Sequence, residues 1–232
     1  GIDRNTLARL LRDESVQLVL LSSSVSLPSG VAMSIDERLY VAQLLEQHGC
    51  WLLENDTFGE LGFEAPHTAL RELVNPERLI VFSSFDKVLG SEAPYGYLLS
   101  RRMSNELQRQ FLLRSFRLSS IRQRAIARLY QSGRMDQHLR VLRQQLSEQA
   151  VQMSQRMEQH LGDQVASSRA VDMRQAFQRL LGRQVVISPG ELFSVSGLHQ
   201  QNLRLSHTFH GQPNLDIALA ALSDALRQAQ TG

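Results

Sequence analysis

The chain is poor in several residue types that whole classes of protein need. Its one cysteine, Cys50, excludes a disulfide within the chain and a cysteine-rich zinc site. No apolar run approaches the roughly 18 residues of a membrane-crossing helix, and the run at residues 16–21 predicts a buried strand instead. The first residues show no basic-then-apolar leader. We therefore expect a protein of the reducing cytoplasm without a membrane partner.

Lysine is almost absent. Of the 25 basic residues, only Lys87 is a lysine, and the others are arginines. An amine can lose its proton and form a Schiff base, whereas a guanidinium stays charged. Lys87 is therefore a candidate for amine chemistry. Its chance retention on a surface is the alternative, and composition alone does not decide between them.

The charges are segregated along the chain. Residues 1–100 carry a net charge of −7, residues 101–143 carry +9 with 11 arginines, and residues 144–232 are neutral. The basic block predicts contact with nucleic acid or with an acidic partner subunit, or else a solvated helix face. We favour the solvated face, because the arginines lack the regular interleaving of aromatic side chains that stacking on bases requires.

Short apolar strands alternate with helical segments along the first hundred residues. The strands are predicted at residues 16–21, 50–54, 78–83 and 96–100. Ser34 and Glu37 form a capping-box pattern that predicts the start of a helix, which Gly49 ends. Apolar strands joined by helices predict an α/β fold with a mostly parallel sheet between helices.

Polar residues follow two of the predicted strands, at 54–58 and 83–87. Ligands of α/β sheets bind at the carboxyl ends of strands. These two segments therefore predict a site at one rim of the sheet.

The later part of the chain has a different pattern. Residues 101–161 are predicted to be helical. Short strands at 184–187 and 202–206, followed by a helix opened by Pro213, predict a small C-terminal α+β lobe.

Several segments resemble, in order and spacing, the motifs of one family. They are Leu27-Pro28-Ser29-Gly30, residues 54–61, residues 83–89 and Leu203-Arg204-Leu205. The second is similar to Glu-Asp-Asp-x-Tyr-Gly-Glu-Leu and the third to Gly-Ser-Phe-Ser-Lys-Thr-Leu of fold-type I pyridoxal-phosphate enzymes. Over nearly its whole length the chain resembles the aminotransferase-like effector domain of MocR-type regulators, a branch of the GntR-type transcription factors.

This resemblance implies a domain organisation and partners. It assigns residues 1–115 to part of the aminotransferase-like large domain, 116–161 to linking helices and 162–232 to the small lobe. It implies that a DNA-binding domain and the first part of the large domain lie outside this chain. The implied partners are a second copy in a homodimer, DNA through that other domain, and a small amino-acid-like or B6-like effector.

The resemblance also implies roles for single residues. Lys87 matches the lysine that forms a Schiff base with pyridoxal phosphate, and Ser84 matches a serine that binds the cofactor's phosphate. Arg204 matches the arginine that pairs with the substrate's α-carboxylate through a bidentate fork.

Five positions depart from the family's pattern. Asn55 replaces the aspartate that keeps the pyridine nitrogen protonated, and Phe58 replaces the tyrosine that reaches the cofactor's ring oxygen. Asp86 replaces a phosphate-binding serine, Pro94 replaces a phosphate-binding arginine, and Leu27 replaces an asparagine that contacts the ring. A carboxylate beside a phosphate costs on the order of 1–4 kcal/mol at close range.

These departures lead to two hypotheses of different classes. The first is an effector-sensing, dimerising domain of a bacterial transcription regulator, in which cofactor binding is weakened or lost. The second is a pyridoxal-phosphate-dependent aminotransferase acting on an amino acid. Asp56, one residue after Asn55, offers a carboxylate at a shifted position, although Phe58 then falls at the wrong spacing.

Overall fold

The computed structural model describes residues 2–27, 29–63, 68–116, 118–165, 171–194, 199–206 and 211–230. The chain divides into two compact units, residues 1–143 and 144–232. A long helix, α7 (Arg134–Val165), contains the boundary between them.

The first unit is built on a four-stranded sheet. Its strands are β1 (Leu18–Leu21), β2 (Trp51–Asn55), β3 (Leu79–Ser84) and β4 (Gly96–Leu99), in the spatial order β1-β2-β3-β4. The first three are parallel and β4 is antiparallel to β3. The predicted α/β fold with a mostly parallel sheet is confirmed.

Helices connect and cover the strands of this unit. They are α1 (Arg4–Asp13), α2 (Ile35–His48), α3 (Leu70–Leu73), α4 (Asp86–Leu89), α5 (Ser104–Leu113), α6 (Ser120–Gln131) and the start of α7. The predicted capping box is present at α2, where Ser34 accepts from the backbone of Glu37 and Glu37 accepts from that of Ser34. Gly49 ends α2 at a φ of +65°, a conformation that favours glycine.

Two apolar clusters form the core of the first unit. One lies between α1, α2 and one face of the sheet, and includes Leu7, Leu11, Val41, Leu45 and Leu52. The other joins α4 to α7 and comprises Phe85, Val88, Ala93, Met135 and Leu139.

The strand β1 is less buried than its sequence predicts. Val19 and Leu21 pack against the first cluster, but Leu18 and Leu20 are 44% and 58% exposed. Successive strand residues point to opposite faces. Only one face of β1 is therefore covered by the described part of the chain.

The second unit is a small α+β lobe. Besides the end of α7 it contains α8 (Met173–Leu181), β5 (Ser188–Pro189), β6 (Leu203–Arg204) and α9 (Leu215–Gln228). Its core includes Met153, Leu180, Leu219 and Leu222. The strand predicted at 184–187 is displaced to β5, a two-residue strand that pairs with β6 in antiparallel fashion.

Candidate functional site

The carboxyl ends of β2 and β3 lie side by side. Asn55 is in register with Phe82, and the Asp56 amide donates to the Phe82 carbonyl at 2.9 Å. Ser83 Oγ donates to the Asp56 carbonyl at 3.1 Å. The two polar segments at 54–58 and 83–87 thus meet at one rim of the sheet, as the strand pattern predicts.

Asn55 and Phe58 line a cavity of about 500 Å³ together with Leu27. The cavity's other walls are mainly apolar, from Leu20, Leu21, Val25, Val31 and Met33 among others. The Asn55 side-chain oxygen accepts from the backbone amide of Thr57 at 3.1 Å and from its hydroxyl at 2.6 Å. That oxygen is therefore engaged by the chain itself.

Ser84, Asp86 and Lys87 form a second group, at the end of β3 and the start of α4. The Lys87 ammonium donates to Asp86 Oδ2 at 2.7 Å, and Ser84 Oγ donates to Asp86 Oδ1. These bonds from Lys87 and Ser84 lower the pKa of Asp86 below its ordinary value. Both candidate cofactor ligands of this segment are thus bonded to one carboxylate of the same chain.

Asp56 does not take the place of Asn55. Its carboxylate is 5% exposed, accepts from Ser24 Oγ at 2.9 Å, and pairs with Arg71 Nη1 at 2.7 Å. It does not line the cavity that holds Asn55 and Phe58. Asp56 instead fixes the turn after β2 to neighbouring loops.

Glu54 is a buried carboxyl that sequence reasoning does not single out. It is fully buried, and burial raises its pKa although Ser23 donates to its Oε1. Among the residues that the structure describes, its Oε2 has no hydrogen-bond partner. The strand's alternation could have indicated this burial, since Glu54 lies two positions after Leu52 and shares the inward face of β2.

Arg38 lies close to this carboxyl and is 5% exposed. Its guanidinium donates to the carbonyl of Thr68 at 2.7 Å and to that of Ser23 at 3.3 Å. Ser23 therefore joins Arg38 to Glu54, through its carbonyl on one side and its hydroxyl on the other.

Helices α6 and α7 hold the loops of this rim. Tyr130 donates to the Glu60 carboxylate at 3.1 Å, and Arg143 Nε donates to the Glu60 carbonyl at 2.6 Å. Burial raises the pKa of Glu60 and that of Tyr130. His138 Nε2 lies 2.6 Å from the Val88 carbonyl, at the end of the segment that carries Lys87.

Arg204 lies in β6 of the second unit. It is exposed, and its guanidinium lies over the Phe193 ring at 5.8 Å from the ring centre. Its neighbour across the sheet is Ser188. The guanidinium is therefore accessible to an anionic group. The role of Arg204 in binding a carboxylate stays a prediction.

The residues at this rim of the sheet do not fit pyridoxal phosphate in the way that the family resemblance implies. Asn55, which the resemblance matches to the anionic partner of the ring nitrogen, is a neutral amide whose oxygen is already bonded to Thr57. On the phosphate side, the Asp86 carboxylate is bonded to Ser84 and Lys87, and the exposed Pro94 supplies no cation.

Comparison with known families places the chain. The model of the family "Aminotransferase class I and II" matches residues 1–222, and the chain belongs to this family.

The curated relatives are regulators. The chain is 28% identical to an uncharacterized HTH-type transcriptional regulator, YdcR, of Escherichia coli, over 71% of this chain and 36% of that protein. It is 27% identical to the probable rhizopine catabolism regulatory protein MocR of Rhizobium meliloti, over 66% of this chain and 32% of that protein. The chain thus spans less than half the length of the curated relatives that it matches.

The solved structures share the fold. An α-aminoadipate aminotransferase from Thermus thermophilus superposes with a TM-score of 0.82 at 21% identity, over 99% of this chain and 63% of that one. A multiple substrate aminotransferase from Thermococcus profundus superposes with a TM-score of 0.85 at 17% identity, over 99% of this chain and 62% of that one.

None of the described helices is long and apolar enough to cross a membrane.

Proposed function

We propose that this chain is the effector-sensing, dimerising aminotransferase-like domain of a bacterial transcription regulator, with pyridoxal-phosphate binding weakened or lost. The observation that carries the proposal is Asn55, a neutral side chain whose oxygen is taken up by Thr57. Without an anion at that position the pyridine ring is a poor electron sink, so amino-group transfer is slow. Similarity to regulators supports the same function.

The proposed partners follow from the same relationship. DNA is bound through a domain that this chain does not contain, and the effector is a small amino-acid-like or B6-like molecule. Arg204 binds the effector's carboxylate, because its planar guanidinium matches a carboxylate in two parallel hydrogen bonds. Effector binding acts by favouring one conformation of the regulator, which requires different affinities for two states.

A transamination assay tests the loss of enzyme activity. The full chain is incubated with pyridoxal phosphate, a panel of amino-acid donors and a 2-oxo acid acceptor. We expect the wild-type chain to show no turnover above that of the Lys87→Ala variant. Asn55→Asp should raise the turnover measurably only if the remaining site binds the cofactor. Turnover in the wild-type chain that Lys87→Ala abolishes would contradict the proposal.

A transcript measurement tests the regulatory role. We expect in-frame deletion of the gene to change the transcript levels of a restricted set of genes, and the wild-type gene to restore them. Arg204→Ala should leave those transcripts unresponsive to the effector condition that changes them in the wild type. An unchanged transcriptome in the deletion strain would refute a regulatory function.

The proposed homodimer is supported by exposed apolar side chains between the end of α5 and the start of α6. Leu113, Phe116 and Ile121 are 69%, 67% and 77% exposed. Large apolar side chains exposed to water so close together in the sequence are candidates for an association surface. We expect sedimentation velocity to give a dimer that Leu113→Ser with Phe116→Ser dissociates, while Ile217→Ser, at a 70% exposed position of the second unit, leaves it intact. A dimer that survives the double substitution would place the interface elsewhere.

The alternative proposal is an aminotransferase acting on an amino acid. It is favoured by one observation: the chain's only lysine lies in α4, three residues after the end of β3, and donates to the same carboxylate, Asp86, as Ser84. The transamination assay separates the two proposals.

A further inference from the structure

We propose that the Asp86 carboxylate occupies the place beside Ser84 where a ligand's phosphate would bind. Lys87 therefore reacts with unphosphorylated aldehydes in preference to phosphorylated ones. The inference rests on the proposed function, because it takes the rim of β2 and β3 to be the effector site. It adds a ligand class, namely a small carbonyl compound without a phosphate group.

The contacts of Asp86 carry this inference. One carboxylate oxygen accepts from the Ser84 hydroxyl and the other from the Lys87 ammonium at 2.7 Å. A phosphate bound beside Ser84 would need the hydroxyl that Asp86 already accepts from. The carboxylate therefore does within the chain what a ligand's phosphate would otherwise do.

The charge of Asp86 adds a second barrier to phosphorylated ligands. The bonds from Lys87 and Ser84 lower the pKa of Asp86, which keeps the group ionised at neutral pH. A phosphate dianion would meet this charge, and Pro94 offers no compensating cation. An uncharged substituent on the aldehyde meets no such repulsion.

Lys87 stays accessible in this arrangement. Its side chain is 43% exposed although it is paired with Asp86, whose side chain is 30% exposed. An exposed ion pair between flexible groups opens at little cost. After the ammonium gives one proton to water, the amine adds to the aldehyde carbon. A C=N bond then forms, and the carbonyl oxygen leaves as water with the two remaining amine hydrogens.

The composition of the chain makes the reaction easy to follow. Because Lys87 is the only lysine, a lysine adduct fixed by borohydride reduction can lie only there. The full chain is titrated with 5-deoxypyridoxal, which lacks the phosphate, and in parallel with pyridoxal phosphate. Peptide mass spectrometry then measures the adduct at Lys87 at each concentration, and Lys87→Arg serves as the blank.

The wild-type chain should form the adduct at lower concentrations of 5-deoxypyridoxal than of pyridoxal phosphate. Asp86→Ser and Asp86→Asn should each shift the ratio of the two half-saturating concentrations at least about tenfold toward pyridoxal phosphate, since both remove the like charge. Glu92→Ser removes an exposed charge six residues away and should keep the wild-type ratio. Comparing ratios between proteins cancels the intrinsic reactivities of the two aldehydes.

Two results would overturn the inference. One is an unchanged ratio in both Asp86 variants, and the other is the absence of any Lys87 adduct in the wild type and in both variants. Neither result decides the regulatory role, which the transcript measurement tests separately. Failure of the inference is thus distinguishable from failure of the proposed function.

Discussion

At the scale of single residues, two carboxyl groups two positions apart meet opposite surroundings. Asp56 is bonded to the Arg71 guanidinium and the Ser24 hydroxyl. Glu54 is fully buried and accepts from one hydroxyl, while its second oxygen has no partner in the described part of the chain. Burial favours the uncharged form of an acid, and it raises the pKa of Glu54. Sequence spacing alone does not reveal this difference, because the partners come from distant loops.

The raised pKa of Glu54 predicts a pH dependence of stability. In the unfolded chain the group titrates near its ordinary pKa of 4.5, and in the folded chain above it. Between these values the folded state holds the proton more tightly, so the free energy of unfolding falls as pH rises through this window. Glu54→Gln removes this term. Urea unfolding at about pH 5 and about pH 8 measures the effect. The free energy of unfolding of the variant, relative to that of the wild type, should be higher at pH 8 than at pH 5.

The matched control for this experiment is Glu46→Gln. Glu46 is an exposed acid on α2, and its replacement should leave the pH dependence as in the wild type. A Glu54→Gln variant that loses stability with rising pH as steeply as the wild type would contradict the prediction.

Gly59 tests how firmly Asp56 is held. A Cβ at this position would overlap the Asp56 carboxylate, whose bonds to Arg71 and Ser24 leave it little freedom to move. We expect Gly59→Ala to lower the free energy of unfolding by about 2 kcal/mol, the usual size of an overpacking effect. Gly62→Ala is the control, because no described residue apart from its two chain neighbours lies within 4 Å of its added Cβ. Equal stability of the two variants would show that the turn can relax.

At the scale of elements, predictions succeeded where a local rule decides the structure. The capping box of Ser34 and Glu37 starts α2, and Gly49 ends it. The rim of β2 and β3 was predictable, because parallel strands bring their carboxyl ends to one edge. The strand predicted at 184–187 was displaced, since β5 is only two residues long and depends on pairing with β6, which a local pattern does not encode.

Helix α6 supports the rim through one side chain. Its Tyr130 hydroxyl donates to the Glu60 carboxylate, whose pKa is raised by burial. We expect Tyr130→Phe to lower the free energy of unfolding by about 1 kcal/mol, because a half-buried carboxylate loses a donor. Tyr40→Phe on α2 controls for the loss of a hydroxyl as such. Chemical denaturation measures both, and a loss no larger in Tyr130→Phe than in Tyr40→Phe would mean that water replaces the bond.

At the scale of the whole molecule, the charges are unevenly distributed along the chain. Residues 101–143 carry a net +9 while residues 1–100 carry −7. Within the described residues, α6 has no buried side chain. Its arginines at 122, 124 and 128 therefore contribute little to the core. In the part of the chain that the structure describes, Arg122 alone among them stacks on an aromatic ring, that of Tyr95 at 5.9 Å.

Because these arginines lie outside the core, a triple variant, Arg122→Gln with Arg124→Gln and Arg128→Gln, changes the charge of the surface without changing the packing of the core. We expect its free energy of unfolding to stay within about 0.5 kcal/mol of the wild type, because exposed charges and a partly exposed stacking contact contribute little. Its retention on a heparin column should fall, because three cations fewer release fewer counterions from a polyanion. Elution at the same salt concentration as the wild type would mean that this helix face does not meet polyanions at all. A marked loss of stability would instead mean that the arginines pair with the acidic part of the chain.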